Sequence, residues 1–346
     1  MLIEVDGSLK SGSGTILRLS IALAARLGKP LHIFNIRRNR PQAGLRPQHL
    51  EAVLTAARLC EAKVEGAFLN SKELWFTPKR VRGGRFEAEI GTAGSIPMLI
   101  MTVLPICIFA EKTVQLHVSK GGTDVSHSPT INYMRFVLLP VLRRMGVKAE
   151  ITVHKYGYYP KGMGMATLTV EPCRELKPFR LEEFGALKSI KGVSVCTFLA
   201  ERKVAERQAE AAASSLRERG LTAEIQIIND RSNPIQKGSS IVLWAETDKE
   251  ALLGADAIGE LRKTSEAVGV EASEKLYAEI SSKATVDLHL ADMLVPYVAL
   301  AKGSSTYTTR ALTDHLETNI WLAETLLGVK FKVEKVNGLY KVEKVG

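Results

Sequence analysis

The sequence contains only four cysteines, and none is close to another along the chain. No two of them form a C-x-x-C pair, the spacing typical of structural zinc sites and redox-active dithiols. Isolated cysteines also give no sign of the disulfide framework of a small secreted domain, and they fit a reducing compartment. The sequence therefore predicts a cytoplasmic protein without a cysteine-based metal site. The four residues are Cys60, Cys107, Cys173 and Cys196.

The sequence also lacks a segment suited to crossing a membrane or directing secretion. Its longest apolar run, from Ile96 to Ala110, is too short for a membrane span and is interrupted by Pro97 and Pro105. The first residues contain no basic region followed by an apolar core, which a signal peptide requires. We therefore expect no membrane partner.

Basic residues are in excess. Lys and Arg number 47 against 37 Asp and Glu, which gives a formal net charge of +10. Such a balance is expected where the partner carries phosphates, because Lys and Arg release counterions from a nucleic-acid backbone. Charge alone does not identify the partner. With 346 residues, 45% of them apolar, the chain can form one large domain or two moderate ones with a full core.

Three segments share one order of predicted elements. Each has a turn of small residues, an apolar helix, a strand, a polar loop, an amphipathic helix and another strand. The first opens at Gly12, the second at Gly91 about 80 residues later, and the third has its apolar helix from Val286 to Ala301. In the first segment, apolar residues spaced three and four apart after Pro47 predict a helix with one buried face.

The third segment begins about 190 residues after the second, an excess of roughly 110 residues that implies an inserted domain. We place a small α/β domain at residues 181–280, and a large domain at residues 1–180 and 281–346. The elements predicted in the insert are strands at 188–198, 221–228 and 240–245, a charged helix at 201–219 and one further helix.

Two segments near the start of the chain carry residue types that bind phosphate. The loop from Ile36 to His49 contains four arginines, which hold phosphate oxygens with paired donors, although a solvated loop can have the same composition. The turn from Gly12 to Gly14 precedes a predicted helix, with Arg18 one turn further on. The unpaired N–H groups of a helix start attract phosphate. This turn matches neither a P-loop nor a complete G-x-G-x-x-G pattern.

His315 is a candidate nucleophile or base. Asp314, followed three residues later by Glu317, resembles a capping box that places His315 in the first turn of a helix. A neutral imidazole there is accessible as a nucleophile or a base. A single histidine is more often structural, so this assignment needs support from other residues.

Three further segments carry local signals. One predicts a helix start, and the other two each have two interpretations. Ser128 followed by Pro129 predicts a helix start. The stretch from Tyr156 to Gly164 combines aromatics, a lysine and glycines; a bulged strand edge and a base-stacking surface explain it equally well. Asp292 lies within an apolar helix, where a carboxylate is either paired or used for binding.

Taken together, these segments resemble the RNA 3′-terminal phosphate cyclase family. The most specific parts are the stretch from Tyr156 to Gly164 and the run His315-Leu316-Glu317-Thr318-Asn319. The resemblance implies an α/β (α+β) fold of three repeated units, each with two helices packed on a four-stranded sheet, plus a smaller inserted α/β domain. The matching stretches are 6–7, 12–18, 36–49, 90–95, 121–124 with Pro129, 156–164, 290–292 and 315–319.

The resemblance also implies a three-step reaction that uses ATP and a divalent cation, Mg²⁺ or Mn²⁺. His315 would take AMP from ATP and then pass it to the 3′-terminal phosphate of an RNA, whose 2′-hydroxyl would displace AMP to close a 2′,3′-cyclic phosphate. The residues implied for the RNA phosphate are Arg18, Arg37, Arg40, Gln48 and His49. Those implied for ATP or the adenylate are Gly12, Gly14, Pro129, Tyr133, His289 and Asp292. Metal ligands and the oligomeric state are not assigned.

The chain departs from the family pattern at four positions. Ser11 stands where members commonly have a glutamate that assists the metal and nucleotide, and serine cannot supply that charge. Met101 replaces a common glutamine, His289 a common tyrosine, and Met163 a glycine.

Two alternatives remain open at this point. The first is a non-catalytic RNA-binding factor of the same family that acts in ribosome assembly; such members typically lack the histidine that is present here as His315. The second is a transferase of the enolpyruvyl type, whose domains also repeat small α/β units. It would explain the basic loops but not the run that begins at His315.

Overall fold

The computed structural model describes residues 2–346. Its first unit contains two helices and four strands, paired in the order β1-β2-β4-β3, with β1 parallel to β2 and the other pairs antiparallel. The bounds are β1 Ile3–Asp6, α1 Gly14–Leu27, β2 Leu31–Phe34, α2 Pro47–Leu59, β3 Lys63–Glu65 and β4 Leu74–Thr77.

The second unit repeats this arrangement. Its strands pair in the order β5-β6-β8-β7, again with only the first pair parallel. Its second helix contains a π-helical segment, Met134–Leu138, between two short α-helices. The bounds are β5 Gly84–Glu89, α3 Ile96–Cys107, β6 Val114–Gly121, α4 Ile131–Tyr133, α5 Leu139–Arg144, β7 Ala149–Lys155 and β8 Gly164–Val170.

The sheet that comes next along the chain belongs to none of the three repeated units, and we call it the fourth sheet. Two helices accompany it. Its order is β10-β9-β11-β12, with α6 and α7 packed together beside it. Strand β12 was not predicted, and the limits 181–280 for a separate domain stay a prediction. The bounds are β9 Leu187–Thr197, α6 Val204–Arg217, β10 Ala223–Asp230, β11 Gly238–Thr247, β12 Leu252–Ile258 and α7 Ser265–Ser282.

The third unit has a smaller sheet than the prediction states. Its strands pair in the order β13-β15-β14, and the place of a fourth strand is held by a single parallel bridge between Arg180 and Thr306. The chain leaves for the fourth sheet just after Arg180, so too few residues remain there for a full strand. The α/β class with repeated units is confirmed. The bounds are α8 Leu288–Leu300, β13 Ser305–Thr309, α9 Asp314–Leu327, β14 Lys330–Val336 and β15 Leu339–Val345.

One predicted helix start is wrong by two residues, and one predicted N-cap is wrong by one residue. The helix expected at Pro129 begins at Ile131, because the hydroxyl of Thr130 accepts the hydrogen bond from the Tyr133 amide while Ser128 Oγ lies 2.5 Å from Ser95 Oγ. In the third unit the N-cap is Thr313 rather than Asp314, so His315 still lies in the first turn.

The helices form the interior of the three-unit part. Helix α1 packs against α3 and α9, and α8 packs against α9. Their apolar residues, such as Ile16, Leu104, Leu294 and Leu322, are fully buried. Within residues 2–346, no helix combines the length and apolar character that crossing a membrane requires. This packing brings the starts of α1 and α9 to the same region.

Asp287, the N-cap of α8, joins three parts of the chain. It accepts hydrogen bonds from the hydroxyl of Tyr133 at 2.7 and 2.9 Å and from the amide of Gly254 on β12 at 2.8 Å. Asp287 and Tyr133 are both buried. A buried carboxylate is costly unless its oxygens are bonded, so these donors are needed for the packing of the second and third units against β12.

We expect Tyr133→Phe to lower the free energy of unfolding by about 2 kcal/mol, because it removes a donor from a buried carboxylate. Urea unfolding followed by circular dichroism measures this change. Tyr297→Phe is the matched control, since the Tyr297 side chain is also buried but its hydroxyl forms no hydrogen bond to another residue within residues 2–346. Equal losses in the two variants would contradict the role given to the Tyr133–Asp287 bond.

Candidate active site

The starts of three helices, α1, α2 and α9, meet at one place. Gly14 begins α1 and lies against the side chain of His49, in the first turn of α2. Thr15, the next residue of α1, contacts His315 in the first turn of α9. Helix starts present unpaired N–H groups and a partial positive charge, so this region favours an anion.

His315 is held through one of its two ring nitrogens. Its Nδ1 lies 3.2 Å from the hydroxyl oxygen of Thr15, and Arg18 Nη2 donates to the same oxygen at 2.9 Å. Nε2 has no hydrogen-bond partner among the residues the structure describes. If Nδ1 carries the proton and donates to Thr15, Nε2 is left with a free lone pair.

The surroundings keep the imidazole of His315 neutral. Burial, reinforced by the positive charges of Arg18 and Arg40, lowers the pKa of His315 below its ordinary value of 6.5, and Asp314 opposes this only partly. A neutral imidazole is nucleophilic, whereas a protonated one is not. The site therefore holds its histidine in the reactive form at neutral pH.

Arg18 provides the central positive charge. Burial and the neighbouring guanidinium groups of Arg37 and Arg40 lower its pKa to about 10, so the group remains charged near neutral pH. Within residues 2–346, the arginines that form salt bridges with carboxylates are Arg58, Arg80, Arg82, Arg207, Arg219 and Arg310. Arg18, Arg37, Arg40 and Arg46 form none there, so the charge of this group is left for an anion from outside.

His49 is the second imidazole of the site, and it is buried against α1. Burial and the charges of Arg18, Arg37 and Arg46 lower its pKa to about 2, so it is neutral. Its Nδ1 lies 3.4 Å from the amide of Arg46, which leaves Nε2 as the nitrogen that bears hydrogen. Nε2 would lie only 2.5 Å from a Cβ on Gly14, so any other residue at that position would displace the ring. Glycine is thus required for the close approach of α1 and α2.

Two arginines of the arginine-rich loop (residues 36–49) have different roles. Arg37 donates to the backbone carbonyls of Gln42 at 2.7 Å and Gly44 at 2.9 Å, so its guanidinium holds the loop in shape. Arg40 is exposed, and its side chain forms no hydrogen bond within residues 2–346. Arg40 is thus free to contact a ligand, while a ligand contact by Arg37 stays a prediction.

Gly12 and Gln48 connect the site to neighbouring loops. Gly12 has a positive φ of 53°, and a Cβ there would collide with the side chain of Asn39 in the arginine-rich loop. The side-chain oxygen of Gln48 accepts a hydrogen bond from the amide of Ser95 at 2.7 Å. Gln48 therefore links the start of α2 to the start of α3.

Asp292 lies beside the same helix start as His315. Its Oδ1 accepts a hydrogen bond from the hydroxyl of Thr313, the N-cap of α9, at 2.6 Å, and its backbone carbonyl accepts one from the side-chain amide of Asn319 at 2.9 Å. Burial raises the pKa of Asp292 to about 7. The carboxylate therefore fixes the start of α9 and has one oxygen left for another donor.

The remaining predicted nucleotide contacts are placed unequally. Tyr133 is fully buried and bonded to Asp287, so its ring offers no open face to a ligand. It touches the exposed ring of His289 edge-on, with centroids 6.3 Å apart. Pro129 is half-buried two residues before α4. Contacts of His289 and Pro129 with adenine stay a prediction. Tyr133 contributes through its edge-on contact with the His289 ring.

The side chains around Ser11 are candidate metal ligands because the family commonly has a glutamate at that position. Within residues 2–346, no group of three or more His, Cys, Asp or Glu residues is placed to hold an ion. Ser11 Oγ lies 3.0 Å from Ser13 Oγ, and the Ser11 amide donates to Thr318 on α9. Ser11 thus lies next to the site but brings no carboxylate to it.

Sequence reasoning missed three residues of the site. Thr15 was taken as part of an apolar helix, yet its hydroxyl joins Arg18 to His315. Thr313 directly precedes Asp314, and as a good N-cap residue it could have been recognised. Asp287 precedes α8 in the same way.

Fold and site together define a class: an α/β protein of repeated units in which arginines without carboxylate partners in residues 2–346 lie beside a neutral histidine, an arrangement suited to phosphate chemistry. A family model described as RNA 3′-terminal phosphate cyclase matches residues 9–333. The chain belongs to the RNA 3′-terminal phosphate cyclase family.

Relatives from several archaea cover the whole chain or nearly all of it. The RNA 3′-terminal phosphate cyclase of Pyrobaculum aerophilum is 45% identical over 346 residues, which is 100% of this chain and 99% of the relative. That of Methanosarcina acetivorans is 42% identical, with 99% of each chain covered. That of Pyrococcus furiosus is 43% identical, with 96% of this chain and 95% of the relative covered.

A pH titration followed by NMR of the histidine rings tests the electrostatics of the site. We expect the pKa of His315 to lie below 6.5. Arg40→Gln should raise this pKa because it removes one repelling charge. Arg26→Gln, at the far end of α1, should leave that pKa unchanged. A His315 pKa at or above 6.5 in the wild type, or no response to Arg40→Gln, would contradict the account.

Proposed function

We propose that this protein uses ATP to convert an RNA 3′-terminal phosphate into a 2′,3′-cyclic phosphodiester through an AMP adduct on His315. The observation that carries the proposal is the environment of His315. Its ring is neutral, Thr15 contacts Nδ1, and Arg18 and Arg40, which form no salt bridge within residues 2–346, lower its pKa. Membership of the cyclase family supports the same reaction.

In the first step, Nε2 of His315 attacks the α-phosphorus of ATP. A nitrogen–phosphorus bond forms, the bond to the β-phosphate oxygen breaks, and pyrophosphate leaves. The imidazole keeps its Nδ1 proton, and the hydrogen bond to Thr15 stabilises the positive charge that the ring acquires. The positive end of the α9 dipole and Arg18 offset the negative charge on the phosphate oxygens.

In the second step, an oxygen of the RNA 3′-phosphate attacks the same phosphorus and displaces His315. Arg18 and Arg40 are the charged groups that we expect to hold this phosphate, with the Nε2–H of His49 as a neutral donor. Neutral His49 is suited to this role, since it donates a hydrogen bond without accepting a proton from the RNA end.

In the third step, the 2′-hydroxyl attacks the activated 3′-phosphorus, AMP leaves, and the hydroxyl proton passes to water. A phosphate monoester reacts poorly because its oxygens are bad leaving groups. Once AMP is attached to the 3′-phosphate, AMP itself is a good leaving group. The hydroxyl is tethered beside the phosphorus, so much of the entropic cost of bringing the two together is already met.

The adenylate would lie between α8 and the loop before α4. Asp292 has a carboxylate oxygen available for a ribose hydroxyl, and the exposed ring of His289 is suited to contact the base. Gly12 and Gly14 leave the start of α1 open to phosphate oxygens. A divalent cation, Mg²⁺ or Mn²⁺, belongs to the proposal as a requirement of the assay, but no step above is assigned to it.

The proposed substrate is RNA with a 3′-terminal phosphate, and we place the reaction in the cytoplasm. The net charge of +10 favours a polyanionic partner. The wide spacing of the four cysteines along the chain, without a C-x-x-C pair, supports this placement.

Labelling with α-labelled ATP tests the nucleophile. With Mg²⁺ or Mn²⁺, we expect the folded wild-type protein to acquire label that is labile to acid and stable to alkali, as a histidine phosphoramidate is, and His315→Ala to acquire none. His154→Ala, which removes an imidazole on β7, is the control and should acquire the acid-labile adduct as the wild type does. Absence of label in wild type with either metal would contradict the proposal and favour a non-catalytic RNA-binding assembly factor, as the serine at position 11 would then suggest.

The role of Thr15 generates a second prediction. Thr15→Val keeps the shape but removes the hydroxyl that joins Arg18 to His315, so the rate of self-adenylation should fall about ten-fold, the value of one hydrogen bond. Thr15→Ser should restore most of the rate. A Thr15→Val enzyme with wild-type rate and pH profile would show that the bond does not orient the ring.

A further inference from the structure

A tyrosine stands exposed on an otherwise tightly held loop, which we call the Tyr159 loop (residues 156–164). The side chain of Tyr159 is 77% exposed, while the residues on either side are anchored. The Gly162 amide donates to the Tyr158 carbonyl at 2.7 Å, and the Gly157 amide donates to the Thr123 hydroxyl at 2.9 Å. Such a loop presents an aromatic ring at little cost in conformational entropy when a ligand binds.

A second loop holds the first in place. This Arg231 loop (residues 231–237) joins β10 to β11, and its fully buried Asn233 donates to the carbonyls of Tyr156 at 2.7 Å and Gly162 at 3.0 Å. Gln236 accepts a hydrogen bond from the Lys161 amide at 3.1 Å. The two loops therefore form one rigid surface, although they belong to different sheets.

The side chains on this surface are apolar and basic. Ile235 is 50% exposed. Three exposed cations accompany it and Tyr159, and none forms a salt bridge within residues 2–346; they are Lys161, Arg231 and Lys237. An exposed aromatic among unpaired cations matches single-stranded nucleic acid, because bases stack on the ring and phosphates meet the cations.

The surface adjoins the candidate active site through two packed loops. A Cβ on Gly162 would lie 2.9 Å from the Cα of Ala93, and one on Gly94 would lie 2.9 Å from the Cβ of Gln48. Gln48 precedes His49 in the first turn of α2, where the terminal phosphate is proposed to bind. A strand that ends at that phosphate can therefore continue onto the two loops.

We propose that the Tyr159 and Arg231 loops together bind the nucleotides that lie upstream of the last two before the 3′-phosphate of the RNA. Tyr159 stacks on a base, and Lys161, Arg231 and Lys237 contact backbone phosphates. This inference rests on the proposed function, and it gives the segment that carries β10 and β11 a role in holding the substrate. The ligand is single-stranded RNA without a sequence requirement, since stacking and phosphate contacts read no base identity.

Another exposed aromatic provides a comparison. Phe68 is 63% exposed in a loop that also adjoins the arginine-rich loop, through Asn70, whose amide donates to the Leu45 carbonyl at 2.8 Å. The segment from Gly66 to Glu73 carries one lysine and one glutamate, so it lacks the excess positive charge of the Tyr159 and Arg231 loops. Charge complementarity therefore favours the Tyr159 side for RNA.

The test compares two RNA 3′-phosphates, a dinucleotide and an oligomer of about twelve nucleotides, a length within the range that single-strand sites cover. Binding is measured by fluorescence anisotropy and cyclisation by steady-state kinetics. We expect Tyr159→Ala to raise the Kd and KM of the oligomer about ten-fold or more. Values for the dinucleotide and the rate of self-adenylation should not change.

Three further variants sharpen the test. Tyr159→Phe keeps the ring and should bind as wild type does, and Phe68→Ala is the matched removal of an exposed aromatic and should also bind normally. Lys161→Gln with Lys237→Gln should lower the slope of log Kd against log salt by about 0.7 for each lysine that contacts a phosphate in the wild type. Unchanged oligomer binding in Tyr159→Ala, or an equally weakened binding in Phe68→Ala, would overturn the inference.

The binding measurement distinguishes a failure of this inference from a failure of the proposed function. A wild-type protein that binds the oligomer but does not cyclise it contradicts the proposed reaction, while weaker binding in Tyr159→Ala still supports the surface. A wild-type protein that cyclises both substrates, with no preference for the longer one in Kd or KM, supports the reaction and overturns the surface.

Discussion

The site depends on the positive charge of arginines that form no salt bridge within residues 2–346. Arg18 lies between two imidazoles, His49 and His315, with Arg37 and Arg40 close enough to lower its pKa. Holding these groups together without carboxylates costs stability, because like charges repel most where water is partly excluded. The same repulsion helps to keep both histidines neutral, and the same charge draws in an anion. Affinity for phosphate and a nucleophilic imidazole therefore have one physical origin.

The repeated units explain how this charge is assembled. Each unit ends a strand and starts a helix at an equivalent place, and packing α1 against α9 brings two of these starts together. Gly14 lets α2 approach as a third, because only a residue without a side chain leaves room for His49. Helices that pack through their apolar faces thus bring their polar first turns together as a consequence. The buried bond between Tyr133 and Asp287 holds the second unit beside them.

Much of this organisation could be predicted from the sequence, and the failures have physical causes. Small-residue turns and apolar periodicity are local signals, so the α/β units and the position of His315 in a first helical turn were predicted. The burial of Tyr133 was not, because it depends on Asp287, 154 positions away. Thr15 was missed because a threonine in an apolar helix gives no sign that its hydroxyl bonds a distant histidine. The use of Arg37 to shape its own loop is likewise a matter of tertiary geometry.

The central claim is that the site activates an RNA end rather than only binding it. Phosphorus NMR of the wild-type protein with ATP, a divalent cation and an RNA 3′-phosphate tests this claim most directly. The account predicts conversion of the monoester signal into that of a 2′,3′-cyclic phosphodiester, with one AMP and one pyrophosphate formed for each RNA end. A monoester that remains unchanged while the RNA is bound, with no AMP released, would contradict it.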